Sequence, residues 1–373
     1  MDAFITPELY RMQTHGPSPR GHLCLMFCRA GMAMAQDIEA HYNGQLRKAG
    51  SKEKVKTVNL NSSSFPDTEI EIKHIDQTLR EHDVFIVQQL FNPCYTDNTG
   101  RNLSINDNLM ELWLAIEACR RLSVNAVTAV LPYHAYGRQD KQDYAKRQPI
   151  SARLVADIFE LAAGSHIRAN LLTCTLHSAQ IKGFYSISVD EIDMLKPMMD
   201  VFGFLTGADD VIIVAPDAGA VKISQLFSRF TQIDLAISNK ARKSSEETEP
   251  IGIVGDFKGK KRVLIVDDMI STAGSIVSLL KEIYTTYGYE EAYIGCTHGL
   301  LTGPAKERLK ELHEKYRLKQ LVITDTIPQP PELLKELPFL KIHSVVPYLS
   351  QAINRIHYGV SLSEDTLKSM KKR

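Results

Sequence analysis

A chain of 373 residues is too long for one small module, and ordinary domain sizes divide it into roughly two or three. Its 44 basic and 44 acidic residues cancel, which removes any global electrostatic case for nucleic acid or an acidic membrane surface as partner. With 44% hydrophobic and 24% charged residues it can bury a large core without staples.

In chain order, residues 1–20 are polar and lack the apolar run of a secretory signal, and no stretch approaches the length of a membrane span, so a soluble cytoplasmic protein is expected. Residues 84–87 (VFIV) read as a buried strand. A helix is expected over 107–121, with Leu109, Leu112, Trp113, Ile116 and Cys119 on one face and Asp107 or Asn108 as cap. Residues 126–131 form a strand closed by Pro132, 151–163 a helix with Leu154, Ile158 and Leu161 on one side, and 171–174 another strand.

The second half repeats the theme, with strands at 211–214, 235–237, 251–254, 263–266, 292–296, 321–324 and 342–346 and helices at 219–230, 272–287 and 305–316. Short apolar strands alternating with helices argue for parallel sheets covered on both faces. The alternation is too long for one sheet, so two α/β domains dividing near 188–191 are expected. Two polar stretches interrupt it: 92–106 and the charge-rich 238–250, both read as loops. The Lys-rich tail after Ser361 reads as a solvated helix or frayed end. The six scattered cysteines read as thiols rather than a disulfide framework, and Cys24 and Cys28 have no second pair at zinc spacing.

The strongest chemical signal is Val263-Leu264-Ile265-Val266-Asp267-Asp268-Met269-Ile270-Ser271-Thr272-Ala273-Gly274-Ser275. An apolar strand ends in two carboxylates, and a turn of hydroxyl residues and glycine leads into a helix. Backbone N–H groups and hydroxyls at a helix N-terminus make a cradle for a phosphate monoester. Carboxylates at the strand end can hold sugar hydroxyls or a hydrated Mg²⁺.

This pattern resembles the phosphoribosyl-pyrophosphate loop of type I phosphoribosyltransferases. Further segments, in the same order, resemble the ribose-phosphate pyrophosphokinases of that superfamily: Phe65-Pro66-Asp67-Thr68-Glu69, Asn106-Asp107-Asn108-Leu109-Met110-Glu111-Leu112, Pro132-Tyr133-His134-Ala135-Tyr136-Gly137-Arg138-Gln139-Asp140, Leu176-His177-Ser178-Ala179-Gln180, Pro216-Asp217-Ala218-Gly219, Thr297-His298-Gly299 and Asp325-Thr326-Ile327-Pro328. The co-linear set covers roughly residues 22–360 and is far more specific than any one motif.

The resemblance implies two phosphoribosyltransferase-like domains, each a mostly parallel sheet flanked by helices. An ATP-binding domain would span 1–188, a ribose-5-phosphate-binding domain 189–345, and a helical tail 346–373 would pack back on the first. It implies ATP contacts from Phe65, Asp67, Glu69, Arg138, Gln139 and His177, with Asp67 and Glu69 reaching in from a neighbouring subunit. It implies Mg²⁺ at His177 and Asp217, and ribose 5-phosphate on Asp267, Asp268, Ser271, Thr272, Ala273, Gly274 and Ser275. Lys240 and Arg242 match the family's catalytic pair, and a homo-oligomer of dimers assembled into a hexamer follows.

The expected reaction joins ATP and ribose 5-phosphate into phosphoribosyl pyrophosphate and AMP. Four departures stand out. Ala273 and Thr68 occupy positions where the family has Gly, so a positive φ at Ala273 would be strained. Ser271 and Thr175 each replace an Asp. These motivate a second reading, a non-catalytic regulatory homologue, against which the retained Lys240, Arg242, His177 and Asp217 argue. A plain phosphoribosyltransferase would need neither the Phe65–Glu69 nor the Arg138–Gln139 element.

Overall fold

A computed structural model describes residues 4–14, 20–75, 77–144, 146–242 and 248–362. It divides into two units, residues 1–192 with 345–373, and residues 193–344.

The first unit contains α1 (Pro7–Thr14), β1 (His22–Phe27), α2 (Met32–Lys48), β2 (Thr57–Asn59), β3 (Ser62–Ser64), β4 (Ile70–Ile72), β5 (His82–Val87), α3 (Ile105–Arg121), β6 (Ala126–Leu131), α4 (Ser151–Ala163), β7 (Arg168–Cys174) and β8 (Ser188–Ile192). Its sheet runs β2-β1-β5-β6-β7-β8 with every pair parallel. Strands buried on both faces are continuous apolar runs; all six residues of β6 are buried. Right-handed crossovers place α2 on one face and α3 and α4 on the other, because the chain leaves β1 and β5 in opposite directions. Because Ser188–Ile192 supplies the edge strand, this unit extends to Ile192, past the expected division at 188.

Two local expectations for this unit are corrected. Ser104 caps α3: its hydroxyl accepts from the Asp107 N–H at 3.1 Å, and the Asp107 carboxylate accepts from the Ser104 N–H at 2.8 Å. Asp107 is thus the third residue of a capping box, not the cap. On α4 the Leu154 and Leu161 side faces solvent, 58% and 76% exposed. The buried side is Ala152, Val155, Ala156, Phe159 and Ala163. Small residues let the helix approach α3 and the sheet closely, which a stripe of leucines would prevent.

The second unit contains α5 (Leu195–Val201), β9 (Val211–Ala215), α6 (Val221–Thr231), β10 (Asp234–Arg242), β11 (Thr248–Val254), β12 (Arg262–Ile270), α7 (Gly274–Tyr287), β13 (Glu291–Gly299), α8 (Ala305–Lys315), β14 (Leu318–Thr324), α9 (Pro331–Glu336) and β15 (Leu340–His343). The order is β11-β10-β9-β12-β13-β14-β15, parallel except for the antiparallel β10–β11 pair. The pleat splits the apolar strands between two cores. Ile212, Val214, Val263 and Ile265 join the core with Leu279, Leu280 and Leu309, and Val211, Ile213, Leu264 and Val266 join the one with Met198, Phe202 and Phe227.

The chain then returns to the first unit as α10 (Val346–His357). The expected strand over 342–346 stops at His343, and Val346, followed by Pro347, begins this helix instead. It packs on α2 and buries Val346, Leu349, Ile353 and Ile356, each contributing about 2 kcal/mol. Asn354 is locked at both ends: its amide donates to the Ile5 carbonyl and Tyr42 hydroxyl, and its oxygen accepts from the Ile5 N–H. His357 Nδ1 lies 2.8 Å from the fully buried Asp83 carboxylate. The tail beyond Leu362 lies outside the described residues.

Candidate active site

In the second unit the chain winds outward from β9 in both directions, to β10 and β11 on one side and to β12 through β15 on the other. Ligands of open α/β sheets bind at such a reversal, beyond the carboxyl ends of the strands. The pairing of β9 with β12 runs from Val211 and Arg262 to Ile213 and Leu264, so it stops short of the carboxyl-terminal end of each strand. Asp217 follows one of them, and Asp267 and Asp268 lie on the other. β12 continues to Ile270 on its β13 side, so the carboxylates lie within the strand rather than after it.

Residues 271–275 follow. Ala273 adopts the left-handed conformation, φ 59° and ψ 6°, immediately before α7. The strain expected of a Cβ there is present. Neighbours clasp the turn: the Thr302 N–H donates to the Ser271 carbonyl at 3.0 Å, the Ser271 and Thr302 hydroxyls are 3.2 Å apart, and Arg308 Nη1 donates to the Thr272 carbonyl at 2.9 Å. Gly274 and Ser275 open α7, and the first turn of a helix points its backbone N–H groups outward along the axis. With the positive end of the helix dipole, that is an anion cradle.

The carboxylates beside it repel. Asp267 is half-buried; desolvation first, then the negative charges of Asp268 and Asp217, push its carboxyl well above the usual range. Its Oδ1 accepts the Asp268 N–H at 2.9 Å. The Asp217 carboxylate accepts from the Gly219 and Ala220 N–H groups at 2.8 and 3.1 Å, which fixes the turn entering α6. An arrangement that disfavours its own negative charge is suited to a ligand bringing hydroxyl donors or a cation.

Lys240 and Arg242 lie on β10, opposite Pro250 and Thr248, not in a loop as their polarity suggests. Backbone pairing is indifferent to side-chain polarity, so the antiparallel β11 extends the hairpin through this hydrophilic segment, with a register shift at Asn239 and Lys240. Residues 243–247 lie outside the described residues.

In the first unit, the turn after β6 and the start of α3 enclose a cavity of about 560 Å³ lined by Tyr133, Tyr136, Arg138 and Gln139 with Ser104 and Asn106. Arg138 is exposed, and exposed His177 adjoins the same turn: a Cβ added at Gly137 would stand 3.5 Å from its Cβ. Phe65, Asp67 and Glu69 do not line this cavity. They belong to the β3–β4 hairpin, a two-stranded sheet of its own. The alternation of Asp67 and Glu69 suggests a strand face, but Asp67 lies within, and Glu69 just after, a tight turn in which the Thr68 N–H donates to the Phe65 carbonyl and Thr68 has φ 78°. Phe65 is 45% exposed.

The profile of the N-terminal domain of ribose phosphate pyrophosphokinase matches residues 23–164, and that of the phosphoribosyl synthetase-associated domain matches residues 224–365. A ribose-phosphate pyrophosphokinase from Caldanaerobacter subterraneus subsp. tengcongensis is 40% identical over 301 residues, 81% of this chain and 87% of that protein. The chain belongs to the ribose-phosphate pyrophosphokinases. A relative in Dictyostelium discoideum, ribose-phosphate pyrophosphokinase A, is 38% identical over 78% of this chain and 84% of its own length. The crystal structure of phosphoribosylpyrophosphate synthetase from Mycobacterium smegmatis superposes with a TM-score of 0.74 at 27% identity, covering 91% of this chain and 99% of that one. Membership in this enzyme family favours catalysis over the regulatory reading.

Sequence reasoning missed the supporting residues of this pyrophosphokinase fold. Thr302 and Arg308 brace the turn at 271–275 from a distant segment, and no local pattern marks them. Glu111 did leave a signal: a carboxylate on the apolar face of α3, between Asn108, Leu112 and Ala115. Among the described residues, no helix is long and apolar enough to cross a membrane.

Proposed function

We propose that the chain transfers the β,γ-diphosphoryl group of ATP to the C1 hydroxyl of ribose 5-phosphate, giving phosphoribosyl pyrophosphate and AMP. The observation that carries this reading is the strand–turn–helix of residues 263–275 at the reversal of the second sheet. The 5-phosphate would sit on the N–H groups and hydroxyls of Ser271, Thr272, Ala273, Gly274 and Ser275, and the ribose hydroxyls would donate to Asp267 and Asp268. The O1–Pβ bond forms as the O1–H bond and the bond from Pβ to the α–β bridging oxygen break; AMP keeps that oxygen and its electron pair, and the hydroxyl proton passes to water. Charge develops on phosphoryl oxygens, so positioning and cations matter more than covalent catalysis. Lys240 and Arg242 are assigned to neutralise it.

Arg138, Gln139 and His177, at the cavity of the first unit, are assigned to ATP together with Phe65, Asp67 and Glu69. That the hairpin trio does not line this cavity supports its service to a neighbouring subunit. The apolar groove formed by Met110, Trp113, Leu154 and Ile158 supports a homo-oligomer, as exposed apolar patches on soluble proteins mark interfaces. A hexamer built of dimers is the assembly proposed.

The nucleotide substrate implies a metal ion, and Mg²⁺ is the one proposed. Among the described residues no three His, Cys, Asp or Glu side chains are grouped to hold one. That fits Mg²⁺, which keeps several waters and binds through one or two carboxylates and substrate phosphates. Asp217 suits that part, and His177 is assigned to the metal-bound nucleotide. Bound there, Mg²⁺ would draw charge from the β- and γ-phosphoryl oxygens.

The test is AMP release from Mg-ATP with and without ribose 5-phosphate, beside Lys240→Ala. Sugar-dependent AMP that falls about 10³-fold in the variant supports the reading. Its absence from folded, oligomeric protein would replace catalysis with regulation of an active synthetase.

A further inference from the structure

We propose that Arg29 and Glu111 are positioning residues for the nucleotide: their buried ion pair fastens the β3–β4 hairpin, and with it Phe65, Asp67 and Glu69, to the sheet. The inference rests on the assignment of that hairpin to ATP. Glu111 is fully buried on α3. Its Oε1 accepts the Arg29 backbone N–H at 3.0 Å and the Ser62 hydroxyl, and its Oε2 accepts Arg29 Nε at 3.2 Å. Arg29 Nη1 donates to the Ser64 hydroxyl at 3.0 Å. The pair therefore grips both ends of β3.

The hairpin needs such a grip. Each of its strands has only three residues, and they pair with each other and not with the six-stranded sheet. A two-stranded hairpin of that size is marginal in water, so its placement depends on what it is tied to. On the other side, the Asn92 amide donates to the Ala30 carbonyl at 2.7 Å, coupling the polar 92–104 segment to the same turn. A charged pair serves better than an apolar contact because its hydrogen bonds fix direction as well as distance.

The experiment compares the wild type with Glu111→Gln and Arg29→Lys, and with Ser64→Ala as a milder change should either variant fail to fold. ATP affinity is measured by calorimetry, hydrogen exchange is followed at the Phe65 and Thr68 amides, and KM is measured for each substrate. The expected result is an ATP affinity and KM weakened about tenfold, the loss of one charge-assisted hydrogen bond, with faster exchange confined to the hairpin and an unchanged KM for ribose 5-phosphate. Ser64→Ala should show the same pattern at smaller amplitude. Unchanged hairpin exchange, unchanged ATP binding, or equal losses for both substrates would overturn the inference. Wild-type protein that binds ATP but releases no AMP would sink the proposed reaction alone, since binding and exchange still judge the anchor.

Discussion

Both units reverse direction in their sheets, between β1 and β5 in the first and between β9 and β12 in the second, yet the two crevices are used differently. In the second, the strands carry carboxylates and a turn into a helix, and the mouth is left to a ligand. In the first, the chain itself fills the mouth. The Cys28 N–H donates to the Val87 carbonyl at 3.1 Å, and Gly31 lies so close that a Cβ there would stand 2.2 Å from the same oxygen. The cavity of the first unit lies elsewhere, at the turn after β6 and the start of α3. Topology alone therefore marks where a site can be, and the residues after the strand decide whether it is one.

The sharpest way to break this comparison is Gly31→Ala. Overpacking against backbone that cannot yield should cost about 3 kcal/mol or more, read as a fall in denaturant midpoint. An unperturbed midpoint would mean the first crevice is not sealed by that contact. Next is Asp267→Asn in metal-free protein. A carboxyl whose pKa is raised on folding holds its proton in the native state while the unfolded chain releases it, so wild-type stability declines as pH rises from the ordinary Asp value toward the native one. The Asn variant lacks this decline. Its melting temperature should exceed that of the wild type near about pH 7, and the difference should shrink toward about pH 4. The same variant should lose ribose 5-phosphate binding. A gap independent of pH would assign the effect to packing instead.

Smaller effects come from the two family glycine positions that carry side chains. Thr68 is β-branched at φ 78°, a conformation glycine accepts freely, so Thr68→Gly should stabilise by about 1 kcal/mol, a shift of about 2–4 °C. Ala273→Gly should gain less than about 1 kcal/mol, because Ala273 is buried and its methyl contacts are lost as the strain is relieved. A larger gain at Ala273 than at Thr68 would reverse this ranking and show the phosphate turn to be the more strained of the two.

Apolar runs mark β5 to β7 and β9 to β14, because doubly covered parallel strands must be apolar throughout, but β1 to β4, β8 and α2 were missed, and 238–250 reads as a loop where β10 and β11 continue. β6 and α4 have the bounds their residues suggest. Position within the helices was harder. The leucines of α4 look like a core face, yet alanines and Phe159 fill that role, since packing distance rather than hydrophobicity chose the side. The turn at 271–275 was legible because its chemistry is contiguous. The braces at Thr302 and Arg308 and the partner Arg29 were not, because they come from segments far apart in sequence, whereas Glu111 left a trace as a carboxylate on the apolar face of α3.

The second unit is an uninterrupted stretch, residues 193–344, whereas the first is completed only when α10 returns. During synthesis, therefore, the later half can close its core before the earlier one does. Until His357 has cleared the ribosome, Asp83 lacks its imidazole partner and α2 lacks the apolar face of α10. Until α10 is made, the first unit keeps that apolar face open, and a chaperone would meet it rather than residues 193–344.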